Sequence, residues 1–262
     1  MNIPAFKKYL LVLFFSISGL SEYAKAQSST DVDSLLMNAE KLFDQARENE
    51  ALDFYLKVLE REPNNFESLW HTSLLYARIG YRMDSESEMT NYYQKALDYA
   101  EIVLKNHPEK GFSHFVYAIA NGRISDISGS RERIEKSHIV KEHAEKAVEL
   151  LPEYGPAWHL LGIWHSEVAN VGTGQRFAAG VFSKGLPDGA SNNKAEEYIK
   201  KAMELIPDQA IRFKLDLARH YERSGQKQKA IVILQEVLEE SPQNEIDQWN
   251  LNRAEKLLNE LN

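Results

Sequence analysis

Leu150-Leu151-Pro152-Glu153-Tyr154-Gly155-Pro156-Ala157-Trp158-His159-Leu160-Leu161-Gly162 decides how the chain is read. Pro152 closes one amphipathic run, Ala157-Trp158 opens the next, and Gly162 follows one turn later. A small residue at that spacing lets a second helix cross closely. The partner run is Ala195-Glu196-Glu197-Tyr198-Ile199-Lys200-Lys201-Ala202-Met203-Glu204-Leu205-Ile206-Pro207. The stretch predicts two antiparallel helices, separated by the long segment 170–193.

The same pattern repeats in both directions. Prolines at 63, 108, 152, 207 and 242 lie 45, 44, 55 and 35 residues apart. Each follows a run with small or apolar residues at helical spacing: Ala51-Tyr55-Val58, Ala96-Ala100-Val103, Ala144-Ala147, Ala195-Ile199-Ala202 and Ala230-Leu234-Val237. Proline ends such runs by removing a donor and restricting the residue before it. The first helices match too, with Ser73, Tyr76 and Gly80, then Tyr117 and Ala118, Leu161 and Gly162, and Leu217, Ala218, Tyr221 and Gly225. Trp70, Trp158, Trp164, Tyr76, Tyr117 and Tyr221 fall at core positions. Repeats of this kind are tetratricopeptide-like, about 34 residues each. The expected fold is all-α: a right-handed helical solenoid of five hairpins, with 245–261 as a capping helix.

Three central repeats exceed the standard length, and the excess is assigned to inserts at the turns, around 81–90, 125–137 and 170–193. Stacked turns emerge on one edge, so these inserts are expected side by side, and long structured loops are often functional. The longest carries Phe177, Val181 and Phe182 at the spacing of an amphipathic helix, between Gly172-Thr173-Gly174 and Gly185-Leu186-Pro187-Asp188-Gly189. These three residues are the candidate rim site. Since the flanking helices already make a complete hairpin, the insert is expected to be dispensable for folding.

Composition narrows the classes. Hydrophobic content of 43% with 27% charge excludes both a disordered chain and a multispan membrane protein. The net charge of −8 argues against nucleic-acid binding. Absence of cysteine excludes disulfides, thiolate metal sites, cysteine catalysis and a lipoprotein anchor. At the N-terminus, Lys7 and Lys8 precede an apolar run from Tyr9 to Leu20, and Ala24-Lys25-Ala26 is a small-x-small site. This reads as a signal peptide, residues 1–26, cleaved before Gln27. A polar tether, 27–32, and a repeat domain, 33–262, follow. The expected location is periplasmic or secreted, with membrane association only if the first segment is retained.

Two stretches resemble a known family. They are 141–152 and Gln175-Arg176-Phe177-Ala178-Ala179-Gly180-Val181-Phe182-Ser183-Lys184-Gly185-Leu186-Pro187. Both are similar to the repeat domain of the regulator of microtubule dynamics family, where an alanine-rich segment ends in Leu-Phe-Gly-x-x-Pro before a Lys-Ala-x-x-Leu-x-Pro helix. Phe182, Pro187, Lys201-Ala202 and Leu205-Ile206-Pro207 occupy the corresponding places, with Val181 for the leucine and Ser183 for the glycine. The resemblance implies a tetratricopeptide domain behind an N-terminal anchor. It also implies roles at microtubules or organelle contacts and phospholipid binding in the groove. The microtubule role conflicts with export and is not carried over.

No constellation for catalysis stands out. His138 with Glu142, and His159 with His165, lack the third ligand that zinc needs and read as polar surface groups. Gly172-Thr173-Gly174 follows no strand, so it is no phosphate cradle. No cofactor is implied. The candidate groove comprises Trp70, Leu74, Arg78, Phe115, Ile119, Arg123, His159, Arg219 and Arg223. Arg78, Arg123 and Arg223 share the thirteenth repeat position, with Asp44 and Glu167 in the other hairpins, and arginine suits planar recognition of carboxylate or phosphate. Trp70, Leu74, Phe115 and Ile119 stand where a peptide-carboxylate clamp would have lysine and asparagine. The leading expectation is a non-enzymatic module holding a peptide or partner protein in the groove. The alternative is a carrier of phospholipid or another apolar ligand.

Overall fold

The computed structural model describes residues 31–182, 185–207 and 210–262. The expected signal peptide and cleavage site lie outside the described residues. Asp31 and Val32, assigned to a tether, are already helical. Among the described residues the chain forms helices and no strand. It divides into two compact units at Asn65/Phe66.

The first unit holds α1 (31–44) and α2 (Glu48–Arg61). Val32, Ala39, Ala51, Leu52, Tyr55, Val58 and Leu59 make its interior, and Arg61 pairs with Asp31. The second unit holds four hairpins, of which the first three are α3 (Phe66–Gly80) with α4 (Glu86–Asn106), α5 (Gly111–Ile127) with α6 (Ser130–Leu150), and α7 (Gly155–Ala169) with α9 (Asn192–Leu205). Between the last two lies α8 (Thr173–Phe182); α10 (Ala210–Arg223) with α11 (Lys227–Leu238) and then α12 (Glu245–Leu261) complete the chain. This is the tetratricopeptide-type solenoid expected.

The repeated core positions behave alike. All fourteen residues of the five proline-terminated runs, from Ala51 to Val237, are fully buried at 0% exposure. Serines at the crossings donate to the partner helix, Ser73 to the Ala96 carbonyl at 2.8 Å and Ser113 to that of Val103 at 3.4 Å. Gly162 is required by close approach: a Cβ there would meet Ile199 Cγ1 at 2.8 Å, the Ile199 nitrogen at 3.1 Å and the Ala195 carbonyl at 3.3 Å.

Helix termination repeats as well. Glu62, His107, Leu151 and Ile206, each before a proline, take φ near −130° with N–H bonded back to Val58, Val103, Ala147 and Ala202. The clash of the proline ring with the residue before it explains the shared geometry. α11 differs, since it stops at Leu238, well before Pro242.

The first two inserts are not loops. The additional residues lengthen the second helices, so α4 and α6 each run 21 residues. Ser85 caps α4 by accepting from the Glu88 N–H, leaving a short turn after α3. Only the turn at 128–129 separates α5 from α6. Charged heptad-like runs such as Arg131–Glu135 favour helix continuation, which the proline count alone does not reveal.

The third insert departs from expectation differently. α8 is a helix, but the return arm after it belongs to the core. Leu186 and Ala190 pack against Ala118, Val140, Ala144, Leu161, Trp164 and Val168. His138 Nε2 donates to the Gly185 carbonyl at 2.9 Å, Lys141 Nζ to that of Asp188 at 2.9 Å, and the Ser191 N–H reaches His165 Nδ1 at 3.3 Å. Gly185 and Gly189 hold the arm's bends with φ of +80° and +86°, where a side chain is strained. The return arm is therefore packed into the fold and is not a free rim loop.

Candidate functional site

The first helices α3, α5, α7 and α10 form the inner layer of the second unit, and the second helices α4, α6, α9 and α11 the outer one. Their cations differ. Five of the six on the inner helices are arginine, whereas ten of the twelve on the outer helices are lysine. Arginine's fixed fork suits enclosed pairing, and lysine's hydrated ammonium suits open surface.

The N-terminal turns of the inner helices are aromatic. Trp70 stacks on Phe112 with centroids 4.4 Å apart, and Tyr154 meets Phe112 and Phe115 edge-on at 5.0 and 5.2 Å. Burial pushes the Tyr154 phenol up to about 12, while Arg78 and Arg212 pull the other way. Trp70, Leu74 and Phe115 are buried here, so they contribute packing between helices more than open wall. Ile119, Arg78, Arg123 and Arg219 are half-buried and Arg223 is exposed.

Charge occupies the middle and C-terminal turns. Asp216 on α10 meets His159 Nε2 at 3.1 Å and the Arg219 guanidinium at 2.9 Å. Burial resists ionisation of Asp216, but the His159 and Arg219 hydrogen bonds and nearby Arg212 outweigh it and hold the carboxyl below its ordinary range. Burial pushes the His159 imidazole below its ordinary range, with the Asp216 hydrogen bond and charge pulling the other way, and against that carboxylate Nε2 is the donor. Arg223 faces Glu167 at 3.8 Å, and Arg123 faces Asp126 at 3.3 Å. Glu167 keeps 52% of its side-chain surface open, yet burial raises its carboxyl, with Arg223 and Arg123 opposing.

The histidines are not the surface groups expected. His71, His159, His165 and His220 are all buried, on α3, α7 and α10. Burial lowers His71 and His165 to about 4. Among the described residues no group of three acidic or histidine side chains is placed to hold a metal ion.

At the candidate rim, Phe177 is 74% exposed. Val181 and Phe182 lie on α8, and their side chains are outside the described residues. Arg176 anchors α8 by donating to the Val168, Ala169 and Val171 carbonyls at the end of α7, at 2.5, 2.9 and 3.0 Å. Sequence reasoning missed Asp216 and Arg212. Their signal is the stripe Arg212, Asp216, Arg219, Arg223, one face of α10 at helical spacing.

Residues 35–262 match the family described as regulator of microtubule dynamics protein 1-3. The chain belongs to this family. Regulator of microtubule dynamics protein 1 of Mus musculus is 29% identical over 236 residues, spanning 87% of this chain and 76% of the relative. Protein 3 of Rattus norvegicus is 28% identical over 203 residues, 76% of this chain and 43% of that longer relative. In structure, a thermophilic tetratricopeptide-repeat protein of Thermus thermophilus aligns with a TM-score of 0.61 at 17% identity, covering 86% of this chain and 99% of the other, which shows a shared fold.

Family membership corrects the expected location. Relatives named as regulators of microtubule dynamics are not exported proteins, so the periplasmic or secreted assignment does not stand. It rested on a short basic-then-apolar run with a small-x-small site, a pattern of few residues with little discriminating power. Among the described residues no helix is long and apolar enough to cross a membrane. The likeness to the Thermus thermophilus protein is one of fold, a tetratricopeptide-type helical solenoid.

Proposed function

We propose that the second unit is a non-catalytic platform that holds an acidic segment of a partner protein against its inner layer. The observation that carries this reading is the concentration of arginine on α5 and α10, where half-buried Arg123 and Arg219 and exposed Arg223 each lie beside a carboxylate, Asp126, Asp216 and Glu167. At a half-buried position a bidentate guanidinium binds carboxylates more strongly than at open surface. Phe177, exposed on α8 between α7 and α9, offers an apolar contact. The phospholipid alternative has less support, because Trp70, Leu74 and Phe115 are consumed by helix packing.

Fluorescence anisotropy with a labelled glutamate-rich peptide tests the reading, with a glutamine-for-glutamate version as control. Arg219→Gln with Arg223→Gln should weaken binding of the acidic peptide at least tenfold, an effect of about 1.4 kcal/mol. Tubulin, suggested by the relatives' name, belongs in the same panel. Equal binding of both peptides, or affinity untouched by the double variant, refutes it. Native mass spectrometry showing a co-purified phospholipid favours the alternative.

A further inference from the structure

Tyr81, in the turn after α3, joins elements far apart in sequence. The Arg123 guanidinium of α5 lies 3.9 Å from its ring centroid and the Arg253 guanidinium of α12 lies 4.9 Å from it. Trp249 of α12 meets the same ring edge-on at 5.7 Å, and Arg253 also sits 4.3 Å over Trp249. The C-terminal helix thus does more than cover α10 and α11, as its Trp249 and Arg253 turn reaches back to the second hairpin.

The charges around this ring do not balance. Arg123 has Asp126 at 3.3 Å, while no carboxylate among the described residues pairs with Arg253. Nε of Arg123 and Nη1 of Arg253 are both buried without an acceptor. Buried donors are nearly always satisfied, and an exception calls for a water or an ion. Two guanidiniums held on one aromatic ring also repel each other, more so away from bulk water. A bound anion answers both features. Stacking on Tyr81 and Trp249 leaves the edges of each guanidinium, where its N–H groups point, for a ligand.

We propose that the Arg123–Tyr81–Arg253 cluster is an oxyanion site, taking a carboxylate or phosphate group, and that occupancy clamps α12 to α3 and α5. The site uses residues of α12, so it exists only with that helix docked, and ligand binding and docking reinforce each other. It shares Arg123 with the acidic-segment surface, but α12 supplies its second arginine, so Arg253→Gln tests it apart from Arg219 and Arg223.

Thermal unfolding of the full chain in potassium phosphate, potassium succinate and potassium chloride, at equal ionic strength and pH 7, tests it. Phosphate, succinate or both should raise Tm above chloride, by roughly 5 °C at a hundredfold excess over Kd. Trp249 emission, taken as the difference from Trp249→Phe, should change saturably over the same range. Arg253→Gln should abolish both responses, and Arg253→Lys should lose at least tenfold in affinity, since charge remains without the fork. Response to one anion alone assigns the ligand class. A rise that does not saturate and persists in Arg253→Gln is the general stabilisation by excluded salts and overturns the site. No difference among the three salts overturns it too. If Arg253→Gln does not melt cooperatively, Arg123→Gln read by Trp249 emission decides in the same way.

Discussion

The two helical layers of the second unit are built from similar lengths of chain but solve different problems. Among the described residues, its buried polar side chains sit on α3, α5, α7, α10 and α12, and none on α4, α6, α9 or α11. The inner helices bury Ser68, His71, Thr72, Ser73, Ser113, Asn121, His159, His165, Ser166 and His220. The outer helices bury alanine, valine, leucine and isoleucine, and their charges pair locally, as Lys146 with Glu149 and Lys200 with Glu196. Burying a polar group costs free energy unless it is bonded. A layer that keeps ten such groups inside is specialised for more than stability, whereas the outer layer needs only to close the stack.

Acidification should break the comparison most. His71 and His165 fold with pKa values near 4, against 6.5 when exposed. The unfolded chain therefore takes up protons first as pH falls below 6.5, and stability present above that value is lost toward pH 4. Tm measured from pH 7.5 to 4 should drop steeply, and less steeply in His165→Gln. A flat profile would mean that the inner histidines are solvated.

Gly162→Leu should come next, because it drives the layers apart at their tightest crossing. The neighbours include Ile199 and Ala195 backbone atoms, which cannot swing away. Overpacking of this kind costs about 1–3 kcal/mol, and backbone contact places it near the top of that range. An unchanged denaturation midpoint would show that α7 and α9 cross elsewhere.

Removing one acid from each layer sharpens the contrast. Asp216→Ala leaves Arg219 and His159 without their shared acceptor and should cost roughly 2 kcal/mol, by the penalty for unpaired groups in enclosed surroundings. Glu149→Ala on α6 removes a partner from an exposed pair and should cost at most about 0.5 kcal/mol. Urea melts of both variants give the comparison, and equal losses would erase the distinction between the layers.

Much of the architecture was legible because it is local and repeated. Prolines at 63, 108, 152 and 207 mark four helix ends that share one geometry, and the small residues before them mark the crossings. Helical periodicity placed Gly162 against its partner without coordinates. The extra residues were legible only as length. Whether they become loop or helix depends on capping and on what lies alongside, which is why 86–90 and 130–137 went into α4 and α6.

The candidate site divides in the same way. Sequence alone determined that arginines recur at one position of the repeat and that an amphipathic segment interrupts the fourth hairpin. Only tertiary structure decided that Trp70, Leu74 and Phe115 are spent on packing, that Asp216 joins His159 to Arg219, and that Leu186 and Ala190 fill the core. Arg253 shows the limit most plainly. Nothing near it in the chain distinguishes it from a surface arginine of a capping helix. Its meeting with Tyr81 and Arg123 spans most of the second unit and follows from the accumulated turn of successive hairpins, a sum over many small crossing angles that no local pattern encodes.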